Sequence, residues 1–165
     1  MTRLVLAMCS ILAMTFPLRA DQPNVRVEPP NLQGPRQLSD QTQTAVIRDY
    51  LQAWQSVGAA LEQNRADLLN RDFIGTAKDR LSDTIHDQVT MGISTRYLDL
   101  SHDLQIIFYS PEGLSVQLVD NVEYEVQVLD HGKIQATQKM HARYVVVMTP
   151  AEVRWRVRIF QAEAE

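Results

Sequence analysis

LSVQLVDNVEYEVQVL, residues 114–129, alternates apolar and polar side chains over almost its whole length. Successive residues of a strand point to opposite faces, so Leu114, Val116, Leu118, Val122, Tyr124, Val126 and Val128 define one face of a long β-strand. Asp120 falls on the same parity. If that acid is buried, its charged form is disfavoured, which is the setting of a general base or a protonated hydrogen-bond donor. The alternative is that Asp120-Asn121 forms a β-bulge that turns the carboxylate outward or onto backbone amides.

Turn residues bracket this strand. Ser110-Pro111-Glu112-Gly113 precedes it and Asp130-His131-Gly132-Lys133 follows it. Beyond them the same period predicts strands over His102–Tyr109, Ile134–Met148 and Glu152–Ala162. Short turns between consecutive strands give a four-stranded antiparallel meander. The inward sets are His102, Leu104, Ile106 and Phe108 on the first strand; Met140, Ala142, Tyr144, Val146 and Met148 on the third; and Val153, Trp155, Val157 and Ile159 on the fourth.

Upstream of Gly92 the period is helical. Val46, Ile47, Tyr50, Leu51, Trp54, Val57 and Leu61 recur at spacings of 3 and 4, one stripe of a long amphipathic helix capped by Ser39 or Asp40. A second helix is expected over Arg65–Asp72. A third is expected over Ala77–Met91, capped by Thr76 and ended by Gly92. The fold class is therefore α+β, with three N-terminal helices packed on one face of a curved four-stranded antiparallel sheet, a cone.

The 165 residues leave room for one ordinary domain. Residues 1–20 read as an export signal: Arg3, an uncharged and mostly apolar run from Leu4 to Phe16, then Ala20. The run is short for a membrane span, and an uncleaved N-terminal anchor is the alternative and the only membrane contact expected. Residues 21–38, with Pro23, Pro29, Pro30 and Pro35, read as an extended or disordered linker, and 39–162 as the single domain. An exported, periplasmic or secreted location follows. Lys and Arg total 16 against 20 Asp and Glu, and removing residues 1–20 removes Arg3, Arg19 and the sole cysteine, Cys9. What remains is acidic and free of thiols, which argues against nucleic acid as a partner and excludes disulfides and cysteine nucleophiles in the domain. No nucleotide-binding, zinc-protease or hydrolase motif occurs, and His86, His102, His131 and His141 are not spaced as metal ligands, so neither a cofactor nor a metal is expected.

On the long first helix with Tyr50 and Trp54, the helical segment ending at Gly92, and the terminal strand Val153-Arg154-Trp155-Arg156-Val157, the chain resembles the nuclear-transport-factor-2-like (cystatin-like α+β) superfamily over about Ser39–Ala162. The resemblance implies a conical domain that pairs through its sheet. Ketosteroid isomerases of that superfamily place a tyrosine of the first helix and a sheet aspartate in the cavity, which Tyr50 and Asp120 would imitate. Asp72 is the nearest counterpart of their separate carboxylate base. Scytalone-dehydratase-like sites pair a histidine with an aspartate among tyrosines, as His102 and Asp120 would.

The candidate catalytic residues are thus Asp120 and His102, and the candidate ligand-binding residues Tyr50, Trp54, Tyr124, Tyr144 and Trp155. On the outer face, Arg154, Arg156 and Arg158 alternate near His141, Arg143, Glu123 and Glu125, which reads as a charged ladder. Beside it Ile107, Tyr109, Val119, Val145 and Val147 form an apolar patch suited to a homodimer. The first functional expectation is a non-catalytic binding domain for a small apolar molecule or a protein partner. A cofactor-independent isomerase or dehydratase and an envelope assembly domain are the alternatives.

Overall fold

The computed structural model describes residues 23–163. The leader expected over residues 1–20 lies outside them. Eight elements follow in order: strand β1 (Asn24–Val27), helix α1 (Asp40–Gln63), a short 3-10 helix (Ala66–Leu69), helix α2 (Gly75–Met91), and strands β2 (Ile93–Tyr109), β3 (Val116–Asp130), β4 (Lys133–Pro150) and β5 (Trp155–Ala162). The strands form one sheet in the order β1-β2-β3-β4-β5. The expected meander is present as β2 to β5, each antiparallel to the next. The α+β class stands, but the sheet has five strands and is mixed, because β1 joins its edge parallel to β2.

That fifth strand comes from the proline-rich stretch. Prolines cannot donate to a ladder, and they are confined here to positions where no donor is needed. Between and after them, Glu28, Asn31 and Gln33 donate their amides to the carbonyls of Leu104, Ile106 and Ile107, at 2.8, 2.9 and 2.9 Å. Leu32 and Leu38 pack on the core, and the Arg36 guanidinium lies over the Tyr109 ring.

Helix α1 forms as its pattern requires. Ser39 is extended, and its Oγ accepts the Thr42 amide, satisfying one of the free donors of the first turn. Val46, Tyr50, Ala53, Trp54, Val57, Ala60 and Leu61 are buried along one face. Asn64 ends the helix in the left-handed conformation. The second expected helix shrinks to one 3-10 turn. Eight residues cannot sustain a helix by propensity alone, and the sheet pulls the segment away: Val157 donates to the Asp72 carbonyl and Ile74 donates to the Val157 carbonyl. Helix α2 ends at Gly92, with φ of 71°, as expected. It starts at Gly75 after an extended Ile74, so Thr76 lies inside it and does not cap it.

Strand lengths differ too. β2 begins nine residues before His102, at Ile93; its polar Ser94, Thr95, Arg96, Asp99 and Ser101 mask the alternation. β5 begins at Trp155, because Ala151 donates to the Arg154 carbonyl in a turn, and Val153 is 80% exposed instead of facing inward.

One-residue bulges then re-aim side chains. Leu100 is skipped between Asp99 and Ser101, Ile107 between Ile106 and Phe108, and Arg158 between the partners of Met148 and Val147. Parity flips at each. Tyr109 enters the core in place of Phe108, and Phe160 in place of Ile159. A further bulge skips Gln135 near the β3–β4 turn, away from the core. The outer patch loses Tyr109, which enters the core, and Val119, which is buried; Ile107, Val145 and Val147 remain half-buried. Of the expected charged ladder, Arg154 instead bonds Asp72, and Arg156 bonds the carbonyls of Asn70 and Phe73.

Candidate functional site

Asp120 is not in a bulge. It pairs with Leu104 on one side and Tyr144 on the other in unbroken register, and it is 0% exposed. Two donors converge on one of its oxygens. Tyr50 Oη donates to Asp120 Oδ2 at 2.7 Å, and His102 Nδ1 lies 2.7 Å from the same atom. Helix α1 supplies the tyrosine, β2 the histidine and β3 the aspartate. Asp120 Oδ1 has no hydrogen-bond partner among the described residues.

With Nδ1 committed to Asp120, the other ring nitrogen of His102 is the one left for chemistry. His102 Nε2 is unpartnered and stands 3.9 Å from Asp99 Oδ2. Asp99 is held by the Trp54 indole N–H. Burial lowers the pKa of His102, but the hydrogen bond to Asp120 and the nearby Asp99 carboxylate outweigh it and push the value up to about 9. The imidazole is therefore charged at neutral pH. Tyr50 is raised well above the ordinary phenol value, by burial first and then by the Asp120 charge. Burial, with the neighbouring Tyr124, also raises Tyr97 to about 12 and raises Tyr144 further. These phenols are hydrogen-bond donors and are not available as phenolates.

The remaining candidates separate. Tyr124 and Tyr144 join the cluster, their hydroxyls 3.3 Å apart. Trp54 occupies its centre. Its ring meets those of Tyr97, His102, Tyr124, Tyr144 and Phe160 at centroid distances of 5.3 to 6.3 Å. Trp155 stands elsewhere, with its ring against Tyr109 and its amide donated to Asp49. Asp72 is buried in a separate cluster, where it accepts from Ser56, Arg71 and Arg154.

Sequence reasoning missed two acids. Asp49 lies on the expected polar face of α1, yet it is buried because it caps the Trp155 amide. Asp99 lies off the inward parity, and only the Leu100 bulge turns it toward Trp54 and His102. Neither carries a sequence signal of its own.

A cleft of about 220 Å³ opens between β1, α1 and β2, lined by Pro23, Val25, Leu51, Gln55, Asp99 and His102. It reaches His102 and Asp99 and does not reach Tyr50 or Asp120. The described residues include no group of three or more His, Cys, Asp or Glu side chains that could hold a metal. No described helix is long and apolar enough to cross a membrane.

No protein-family model matches the sequence, and no curated protein matches it. Solved structures do. The intermembrane-space region of the chloroplast protein ARC6 superposes with a TM-score of 0.62 at 13% identity, covering 79% of this chain and 100% of that one. A putative scytalone dehydratase from Novosphingobium aromaticivorans gives 0.52 at 12% identity, over 76% and 89%. Aln2 from a Streptomyces species gives 0.52 at 11% identity, over 78% and 93%. At these identities the likeness is one of fold. With a long helix and its shorter partner laid against one sheet, this chain has a nuclear-transport-factor-2-like fold.

Proposed function

We propose that this chain is an exported, non-catalytic domain that recognises a protein partner on its surface. The observation that supports this reading is the filled interior. Where a conical domain could hold a small molecule between helices and sheet, Trp54 is packed among five other rings, and Asp120 is fully buried beneath Tyr50 and His102. A buried carboxylate that accepts from two side chains, with no opening to it, orders a core. The outer sheet face, with Ile107, Val145 and Val147, is the surface suited to a second copy. Native mass spectrometry of freshly purified protein tests the reading. The expected spectrum contains the chain, or its dimer, with no small-molecule adduct. A stoichiometric adduct overturns it.

One observation favours a second reading, a cofactor-independent isomerase or dehydratase. His102 Nε2 is unpartnered, charged at neutral pH, and borders the cleft beside Asp99. There it would act as a general acid, with Asp120 orienting the ring and Asp99 as the neighbouring base. The cleft admits only a small substrate.

A further inference from the structure

The open edge of β4 is a place where the fold is unfinished. β5 pairs with β4 only from Tyr144 to Pro150. Upstream, Lys133–Ala142 pairs with β3 on one side and, among the described residues, with nothing on the other. The far edge of β5 is not open in this way, since Asp72 and Ile74 bond to Val157 along it.

The backbone of this edge is aimed outward in a regular way. Arg143 accepts the Glu163 amide on its β5 side. Backbone groups in an antiparallel ladder alternate between sides, and the register from Arg143 back to Ala136 is unbroken. His141, Lys139 and Thr137 therefore present their N–H and C=O groups to the open side. Such a row is a template for an added strand.

The charge of the edge selects the occupant. Lys133-Ile-Gln-Ala-Thr-Gln-Lys-Met-His-Ala-Arg143 carries three basic residues and no acid, within a chain that is acidic overall. Arg143 is paired with Glu163. Lys133 and Lys139 have no ion-pair partner among the described residues. A second copy laid along the edge would bring a like-charged strand against it, which is unfavourable. The geometry points to strand addition by an extended segment of a protein partner that carries acidic side chains at alternate positions, main-chain bonds forming to Thr137, Lys139 and His141 and a carboxylate lying beside Lys139. This inference rests on the reading of the chain as a protein-binding domain, and it names the surface and the partner chemistry.

The test is fluorescence anisotropy with a labelled, end-capped alternating Thr-Glu octapeptide, and a Thr-Lys octapeptide as comparison. The intact chain is expected to bind the first at least tenfold more tightly than the second, and more weakly as salt is added. Thr137→Pro removes one outward amide without touching the β3 ladder and is expected to weaken binding at least tenfold with the melting temperature preserved. Lys139→Gln is expected to reduce the preference for the acidic peptide, and it serves if the proline variant fails to fold. Absence of binding, or equal binding by both variants and the parent, overturns the inference. So does a dimer of the parent that Thr137→Pro converts to a monomer, since a second copy would then hold the edge. A small-molecule adduct in the native mass spectrum bears instead on the broader reading, and the two failures are distinguishable.

Discussion

His102 Nδ1 and Asp120 Oδ2 stand 2.7 Å apart with both side chains buried, and the same oxygen accepts the Tyr50 hydroxyl. A histidine on a strand edge would titrate near 6.5. Held against a buried carboxylate, this one is charged well above that.

The pH dependence of stability follows from this pair. The folded-state pKa of His102 is raised from 6.5 to about 9. The folded state therefore binds a proton that the unfolded state releases between those values. The stabilisation is complete below pH 6.5 and is lost as the pH rises through 9. Its size is of the order of 3 kcal/mol. Urea midpoints measured from pH 6 to pH 10 are expected to fall across that window, and those of His102→Gln are expected to lack the fall. A parent profile flat over the window rejects a charged His102.

Removing the other partner leaves the buried imidazolium without its hydrogen-bonded counter-charge, with only Asp99 nearby, 3.9 Å from the opposite ring nitrogen. Asp120→Ala is expected to cost about 3–5 kcal/mol, the usual consequence of breaking a buried pair from one side. Asp120→Asn keeps an acceptor for Tyr50 and should cost less. Denaturant unfolding of both variants measures the order. An alanine variant as stable as the parent would show that the pair contributes nothing.

The sheet and both main helices were legible because their periods are strong: stripes at 3 and 4 in α1, alternation at 2 in β3. Tyr50, His102, Asp120, Tyr124 and Tyr144 were brought to one place by those periods alone. What was not legible turns on single residues. The skipped residues Leu100, Ile107 and Arg158 each reverse the alternation, so that Asp99, Tyr109 and Phe160 enter the interior while Phe108 and Ile159 leave it. A bulge carries no compositional signature here; it is set by how three strands and a helix fit together. Strand β1 was hidden for a different reason. Four exposed residues among prolines have no pattern, and only the carbonyls of β2 give them a place.

Trp54 fills the space that an open cone would offer. Trp54→Ala is expected to destabilise by about 3–5 kcal/mol. It should also leave an apolar cavity bordered by Tyr97, Tyr124, Tyr144 and Phe160. Such a cavity takes up aromatic guests. Millimolar indole is therefore expected to raise the melting temperature of the variant and leave that of the parent unchanged. Stabilisation of the parent by indole would mean that its interior is already open.

Asp49 tests a bond that joins helix to sheet. Its Oδ2 accepts the Trp155 amide at 2.8 Å, at the first residue of β5. Asp49→Ala leaves that amide half-buried without an acceptor, at a cost of about 1–3 kcal/mol. The loss should be local as well as global. Amide exchange at Trp155 is expected to accelerate more than exchange in β3, and uniform acceleration would show that the bond has no special place in holding β5.

The β3–β4 turn offers a change in the opposite direction. His131 and Gly132 both have positive φ, 49° and 76°, which is the signature of a two-residue type I′ turn. Asparagine followed by glycine is the preferred pair for that turn, because asparagine tolerates the left-handed region better than most side chains. His131→Asn is therefore expected to stabilise by about 0.5–1 kcal/mol, less whatever the contact between His131 and Asp130 contributes. That contact is exposed and should contribute little. The turn lies at the end of the open β4 edge, remote from His102 and Asp120, so the variant should shift the unfolding midpoint upward at every pH and leave the His102 titration in place. A gain confined to the window between pH 6.5 and 9 would instead show that the hairpin and the buried pair are coupled.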